Sequence, residues 1–278
     1  MYYLIIILSV IMFGGCFYLN EVYSKKCGSS LKASLRFSFV SSVSGLLVLL
    51  VFNGFKFEFT LFTLLMALLS ALVSFGFTFC GFCALKSINL SVYSVFSMLG
   101  GMLLPFLQGI LFYKEDITFA KILCVILVGV SLLFTLKKDD GKKGYIFYIG
   151  IFVLNGMSGV LSKIFTEAPF QKTSAAGYSI LICVCTAVIS GILLLPDIKK
   201  PDFSGTGVAI IGGSLSKVAN FLLVLALLHV DASVQYPLVT GGVMIVSTLI
   251  CFFGKNKPAK RELISVAVAF VGMLALFI

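Results

Sequence analysis

Tryptophan is absent, histidine occurs once, at His229, and only 11 of 278 residues are acidic. Asp, Glu, Lys and Arg together make up 12% of the chain. That much polar surface cannot cover the rest of a soluble fold, because 60% of the residues are hydrophobic and the mean hydropathy is +1.13. No Asp, Glu or His occupies the central part of any apolar segment. This argues against a proton-coupled cation exchanger built on a mid-membrane carboxylate. It also argues against an intramembrane enzyme, whose serines or cysteines would lack an activating base. No Gly-x-x-x-x-Gly-Lys-Ser/Thr element is present, so ATP would have to be used by another chain.

What is present is a succession of charge-poor apolar stretches. Phe59 to Leu85, Ser87 to Tyr113 and Ala232 to Gly254 contain no Asp, Glu, Lys or Arg, and each exceeds the roughly 18 residues that mark a spanning helix. The runs are continuous, whereas barrel strands alternate over about ten residues. Unpaired backbone amides are too costly in hydrocarbon for any structure but helices or a closed barrel, so the sequence predicts an all-α integral membrane protein. Ten transmembrane helices are expected: Tyr3 to Leu19, Leu31 to Phe52, Phe59 to Leu85, Leu90 to Leu111, Phe119 to Leu136, Tyr145 to Phe165, Ser174 to Leu195, Phe203 to Leu228, Ala232 to Phe253 and Leu263 to Ile278. Seven of the eight cysteines fall inside these spans and Cys27 falls in a loop. Cys80 and Cys83 have the spacing of a metal pair, but without a second pair or a nearby histidine they read as packing residues.

The two sets of five spans resemble each other. Phe79, Ala84, Leu85, Ser91 and Val92 recur about 142 positions later as Phe221, Ala226, Leu227, Ser233 and Val234. Gly100-Gly101-Met102 recurs as Gly241-Gly242-Val243, Lys114 as Lys255, and Val128-Gly129 as Val271-Gly272. A duplication with an odd number of crossings per copy predicts two inverted five-helix repeats, 1–137 and 145–278, joined by a basic loop over 138–144. Gly156 and Lys163 open the second repeat, with Gly14 and Glu21 at the matching places in the first, and the fourth span ends Phe112-Tyr113-Lys114-Glu115. With these features the whole chain resembles the drug/metabolite transporter (DMT) superfamily, specifically its EamA-type members, although Asn256 stands opposite Glu115. The resemblance implies a secondary transporter in the cytoplasmic membrane.

Within the spans, Lys217 is the conspicuous charge, because a cation at mid-membrane costs about 2.5–3.5 kcal/mol on insertion scales. Three- and four-residue spacing places Gly213, Ser214, Lys217 and Asn220 on one face, which suits a wet cavity. Either Lys217 contacts a ligand or it pairs with a carboxylate or helix end to fix packing. Asn155, Gly159, Ser162 and Thr166 form a second stripe, with Lys163 beside it and near enough to a helix end to snorkel. Ser94, Ser97, Gly101, Pro105 and Gln108 line one face of the fourth span, and Tyr236, Thr240 and Ser247 one face of the ninth, with Gln235 adjacent. Small residues at these positions also suit close helix packing. Glu21 is read as a loop-end carboxylate, with pairing to Lys163 as the alternative.

The substrate-binding candidates are therefore Lys217, Asn220, Ser214, Lys163, Asn155, Gln235, Tyr236, Thr240, Ser97 and Gln108. The third, fourth, eighth and ninth spans and the starts of the first and sixth should surround the cavity. Buried lysines favour amino acids, organic anions or phosphorylated metabolites, with a lipid bilayer as the other partner and no cofactor or metal. A translocase for lipid-linked head groups is the alternative, marked by a lateral opening between helices. The net charge of +10 reads as topology control rather than nucleic-acid binding. About fifteen basic residues follow odd-numbered spans against about five on the other side, which places both termini outside. The family resemblance implies cytoplasmic termini instead.

Overall fold

The computed structural model describes residues 2–86, 90–114, 116–135, 145–195, 204–253 and 260–275. They form ten α-helices: α1 (Tyr2–Cys27), α2 (Leu31–Phe52), α3 (Leu61–Ala84), α4 (Leu90–Tyr113), α5 (Phe119–Thr135), α6 (Tyr145–Glu167), α7 (Ala175–Leu194), α8 (Thr206–Leu227), α9 (Ala232–Phe253) and α10 (Lys260–Leu274). Eight of them, α1 to α4 and α6 to α9, are long and apolar enough to cross a membrane. Among the described residues no strand occurs, and the chain is an α-helical protein of membrane-spanning character. The basic connection Lys137 to Gly144, Phe203, Glu115, Lys255 and Asn256 lie outside the described residues.

Helix starts follow local chemistry. Ser30 accepts from the Ala33 amide at 3.2 Å, Thr60 from Thr63 at 3.2 Å and Ser174 from Gly177 at 3.1 Å, each satisfying an amide that the first turn leaves unpaired. The largest departure from the sequence reading is α1, which continues beyond Leu19 to Cys27. No breaker interrupts it before Gly28, whose φ of 77° ends the helix. Glu21 and Lys25 form an i,i+4 ion pair at 2.5 Å, and Lys25 and Lys26 sit favourably at the negative end of the helix dipole. Cys27 accordingly ends a helix instead of lying in a loop, and Glu21 is a helical residue.

Eight helices close into a ring in the order α1, α9, α4, α6, α3, α7, α2, α8 and back to α1. Each neighbour in that circle comes from the opposite side of the 136–144 connection. Outside it α5 packs on α10, α4 and α9, and α10 also packs on α9. Exchanging each helix for the one five places on leaves the order of the ring unchanged: α4 against α6 becomes α9 against α1, and α3 against α7 becomes α8 against α2.

Small residues set the closest approaches. A Cβ on Gly100 of α4 would strike the Phe152 main chain of α6, and one on Gly242 of α9 would lie 2.8 Å from Val10 of α1. On α8, Gly213 seats against Ser41 of α2 and the stem of Lys217 seats against Gly45.

Two apolar clusters lie at opposite ends of α3 and α8. One contains Tyr23, Ala33, Phe37, Phe82 and Ala209, with three rings 4.9–5.5 Å apart. The other contains Ala67, Phe165, Ala175, Tyr178 and Val224 among its members, with Phe165 stacked on Tyr178 at 4.0 Å. Tyr23 and Phe165, Ala33 and Ala175, Ala67 and Ala209, and Phe82 and Val224 are each about 142 positions apart. The C-terminal part of α1 meets the C-terminal end of α3, while that of α6 meets the N-terminal end of α3.

Candidate functional site

Between the two clusters lies a cavity of about 150 Å³ lined by all eight ring helices. Its wall is mixed. Phe13, Phe17, Phe37, Phe77 and Leu223 supply apolar surface, and amides, hydroxyls and one amine interrupt it.

Lys217 stands in the wall at the twelfth position of the 22-residue helix α8. It is half-buried, and among the described residues no carboxylate or carbonyl pairs with its Nζ. Gly45 makes room for its Cβ and Cγ, so the start of the side chain is held against α2 at the edge of the cavity. Asn220, one turn on, donates its Nδ2 to the Ser216 carbonyl at 3.2 Å. Ser38 and Ser42 of α2 also line the cavity, and their Oγ atoms are buried without a hydrogen-bond partner.

Across the ring, Asn155 of α6 donates Nδ2 to the Ser97 carbonyl at 2.6 Å, in space left open by Gly101. Gln235 of α9 donates Nε2 to the Leu223 carbonyl at 2.9 Å, and its Oε1 is buried with no partner. The Tyr236 hydroxyl donates to the Gly159 carbonyl at 3.0 Å, and Thr240 donates to the Met98 carbonyl at 3.0 Å. Met98 and Thr240 are themselves 142 positions apart, so this bond joins corresponding points of the two sequence copies.

The structure thus brings Lys217, Asn220, Asn155, Gln235, Tyr236 and Thr240 together in one wall, and leaves four candidates outside it. Ser214 is replaced by Ser216. At about 100° per residue, the lining arc of α8 centres roughly 60° to one side of Lys217, and Ser214 falls on the other side. Lys163 is 4% exposed, pairs with Glu167 at 2.9 Å and lies 5.3 Å from the Tyr113 ring centroid, so it neither lines the cavity nor meets Glu21. Ser97 contributes its carbonyl to Asn155 from behind the wall, and Gln108 lies further along α4 with a buried, unpartnered Oε1.

The helices around the cavity also differ from expectation. α2 and α7 join it through Ser38, Ser42 and Thr186, while α1 and α6 contribute their middle and later turns, from Phe13 to Asn20 and from Asn155 to Ser162. The signal for α2 was present as Ser38, Ser41, Ser42 and Gly45, a small polar stripe at helical spacing. Among the described residues no group of three His, Cys, Asp or Glu side chains is placed to hold a metal.

No family model and no curated protein matches the chain. A solved structure described as "Crystal structure of protein" superposes with a TM-score of 0.61 at 16% sequence identity, covering 97% of this chain and 96% of that one. The chain shares that protein's fold along its length.

Proposed function

We propose that this chain is a secondary transporter of the DMT superfamily, EamA-type, with ten transmembrane helices in two inverted repeats. It carries a small metabolite across the cytoplasmic membrane by alternating access. The observation that carries the reading is the central cavity between two end clusters whose members correspond at one sequence offset. An inverted duplication supplies two states of similar packing, each opening one end, and the Tyr23 and Phe165 clusters are the two gates. The opposed senses in which α1 and α6 meet α3 support the inversion.

Lys217 sits where the two states share the site, and an unpaired cation there favours a substrate with a carboxylate or phosphate. Amino acids, organic anions and phosphorylated metabolites are the classes it suits. A translocase for lipid-linked head groups would need a side entrance, and contact between every pair of ring neighbours among the described residues disfavours it. The test is ligand screening by thermal shift on purified protein, followed by uptake into proteoliposomes. Lys217→Gln should weaken binding of the stabilising ligand by about 1.5–3 kcal/mol, the range for charge-assisted hydrogen bonds. Binding and uptake that ignore Lys217 would move the site elsewhere.

A further inference from the structure

The loop between α2 and α3, Asn53 to Thr60, carries phenylalanine at every second position, as Phe55, Phe57 and Phe59. The three rings are 58–72% exposed, and none belongs to an apolar cluster among the described residues. Packing therefore does not account for them. Nor does the repeat. At the 142-residue offset that relates Ala33 to Ala175 and Ala67 to Ala209, the second copy carries Asp197, Lys199 and Pro201 in their places. The same connection is thus made there without aromatic residues at these positions.

The loop is a built turn. Phe55 donates its amide to the Leu50 carbonyl at 2.8 Å, Gly54 donates to Val51 at 3.1 Å, and Asn53 Nδ2 donates to the Lys56 carbonyl at 2.7 Å. Phe55 has a φ of 58°, a costly conformation for a bulky residue. Between Phe57 and Phe59, Glu58 is half-buried, and its Oε2 accepts from the amide of Ser174, the residue that caps α7. Thr63 Oγ1 accepts from the neighbouring Thr173 amide at 3.1 Å. Both bonds join the first half to the second beside Ala175 of the Phe165 cluster.

The exposed apolar surface of α2, with Val51 and Phe52, and that of α3, with Leu61 and Leu65, lead into this loop from either side. At 1.5 Å per residue the 22 residues of α2 and the 24 of α3 are about 33 and 36 Å long, slightly more than the roughly 30 Å hydrocarbon core. Their shared end therefore falls where acyl chains meet headgroups. We propose that the loop is a bilayer anchor: Phe55, Phe57 and Phe59 enter that boundary, the Lys56 amine stays among the lipid phosphates, and Glu58 passes the hold on to the start of α7. Rings placed there leave water, while the lysine stem lets its charge remain in it. The inference does not depend on what the cavity carries.

The chain has no tryptophan, so Phe57→Trp introduces a single indole that reports on this loop alone. In purified full-length protein in lipid nanodiscs, its emission should be blue-shifted from that of an indole in water. Lipids brominated next to the headgroup should quench it more strongly than aqueous iodide does. Stronger quenching by iodide overturns the anchor, and so does quenching by neither, which would mean that protein covers the ring. The hold on α7 is read by amide exchange over residues 173–177. Glu58→Ala should speed that exchange on the order of tenfold or more, because the Ser174 amide loses its acceptor. Phe55→Ser combined with Phe59→Ser should speed it as well, with Glu58 intact. Exchange that ignores the two rings overturns the coupling between anchor and helix. Neither readout uses a substrate, so failure here and failure of the transport reading are separate results.

Discussion

Replacing Lys217 with methionine should pull stability and binding in opposite directions. Methionine keeps an unbranched stem, so the Cβ and Cγ packing against Gly45 is retained and the amine alone is lost. A lysine at the centre of a span costs about 2.5–3.5 kcal/mol when it faces hydrocarbon. Lys217 faces a cavity and is only half-buried, so a fraction of that cost applies, about 1 kcal/mol. No ion pair among the described residues offsets it. Lys217→Met should therefore raise Tm by roughly 2–4 °C, taking the conversion for chains of 150–250 residues as a guide. The same variant should lose at least tenfold in affinity for an anionic ligand, in the manner of a site whose function opposes stability. Both quantities are read on one preparation, by scanning fluorimetry without ligand and by calorimetry with it. A Tm lowered by a few degrees would mean that the amine is engaged by a structural partner, and the assignment of Lys217 to substrate would then be withdrawn.

Helix contacts make a second prediction: Gly100→Ala drives a methyl group into the Phe152 main chain and should cost about 1–3 kcal/mol, seen as a lowered Tm. Gly129→Ala meets nothing within 4 Å and should leave stability unchanged or raise it by about 0.5–1 kcal/mol. For the gates, Phe165→Ala should speed thiol labelling of a single cysteine placed at Ser162, and Tyr23→Ala that of one placed at Ser38. Rates that ignore the paired aromatic would show that these clusters only pack. For orientation, the charge distribution predicts that cysteines at Lys56 and Asp140 react from outside intact cells at Lys56 only; the reverse pattern would give the chain cytoplasmic termini.

The charge rule as applied in sequence puts the less basic side, which carries the termini and Lys56, outside. Most of the helix pattern was equally local in origin. α2 begins and ends where its apolar run does, because Ser30 and Asn53 cap it. α1 overran its apolar run because helix propensity and an i,i+4 ion pair sustain a helix as well as hydrophobicity does. The lining of the cavity was legible where a polar residue stood alone in an apolar run, as with Lys217, Asn155 and Gln235. Ser214 and Ser216 could not be separated, because assuming Lys217 to be the centre of its stripe misjudged a rotation that only packing against α2 fixes. Lys163 misled for a related reason: its Glu167 and Tyr113 partners lie at a helix end and on another helix, and sequence does not weigh such contacts against a cavity. The contribution of α2 stayed hidden because serines beside glycine serve close packing as readily as a wall.

The alternation of the two sequence halves around the ring has a consequence for how the protein is made. Every ring neighbour of a helix from the first half belongs to the second half, so a nascent chain ending near residue 140 would hold helices inserted in the bilayer but lacking their main partners. The polar faces destined for the cavity, and the glycine grooves destined for close contact, must wait in lipid until the later helices arrive. Assembly is therefore expected late and all at once, with a truncated first half recognised as unfinished by membrane quality control. The same geometry means that the two halves, produced as separate polypeptides, should find each other and reconstitute the ring, since neither has another way to cover its contact surfaces.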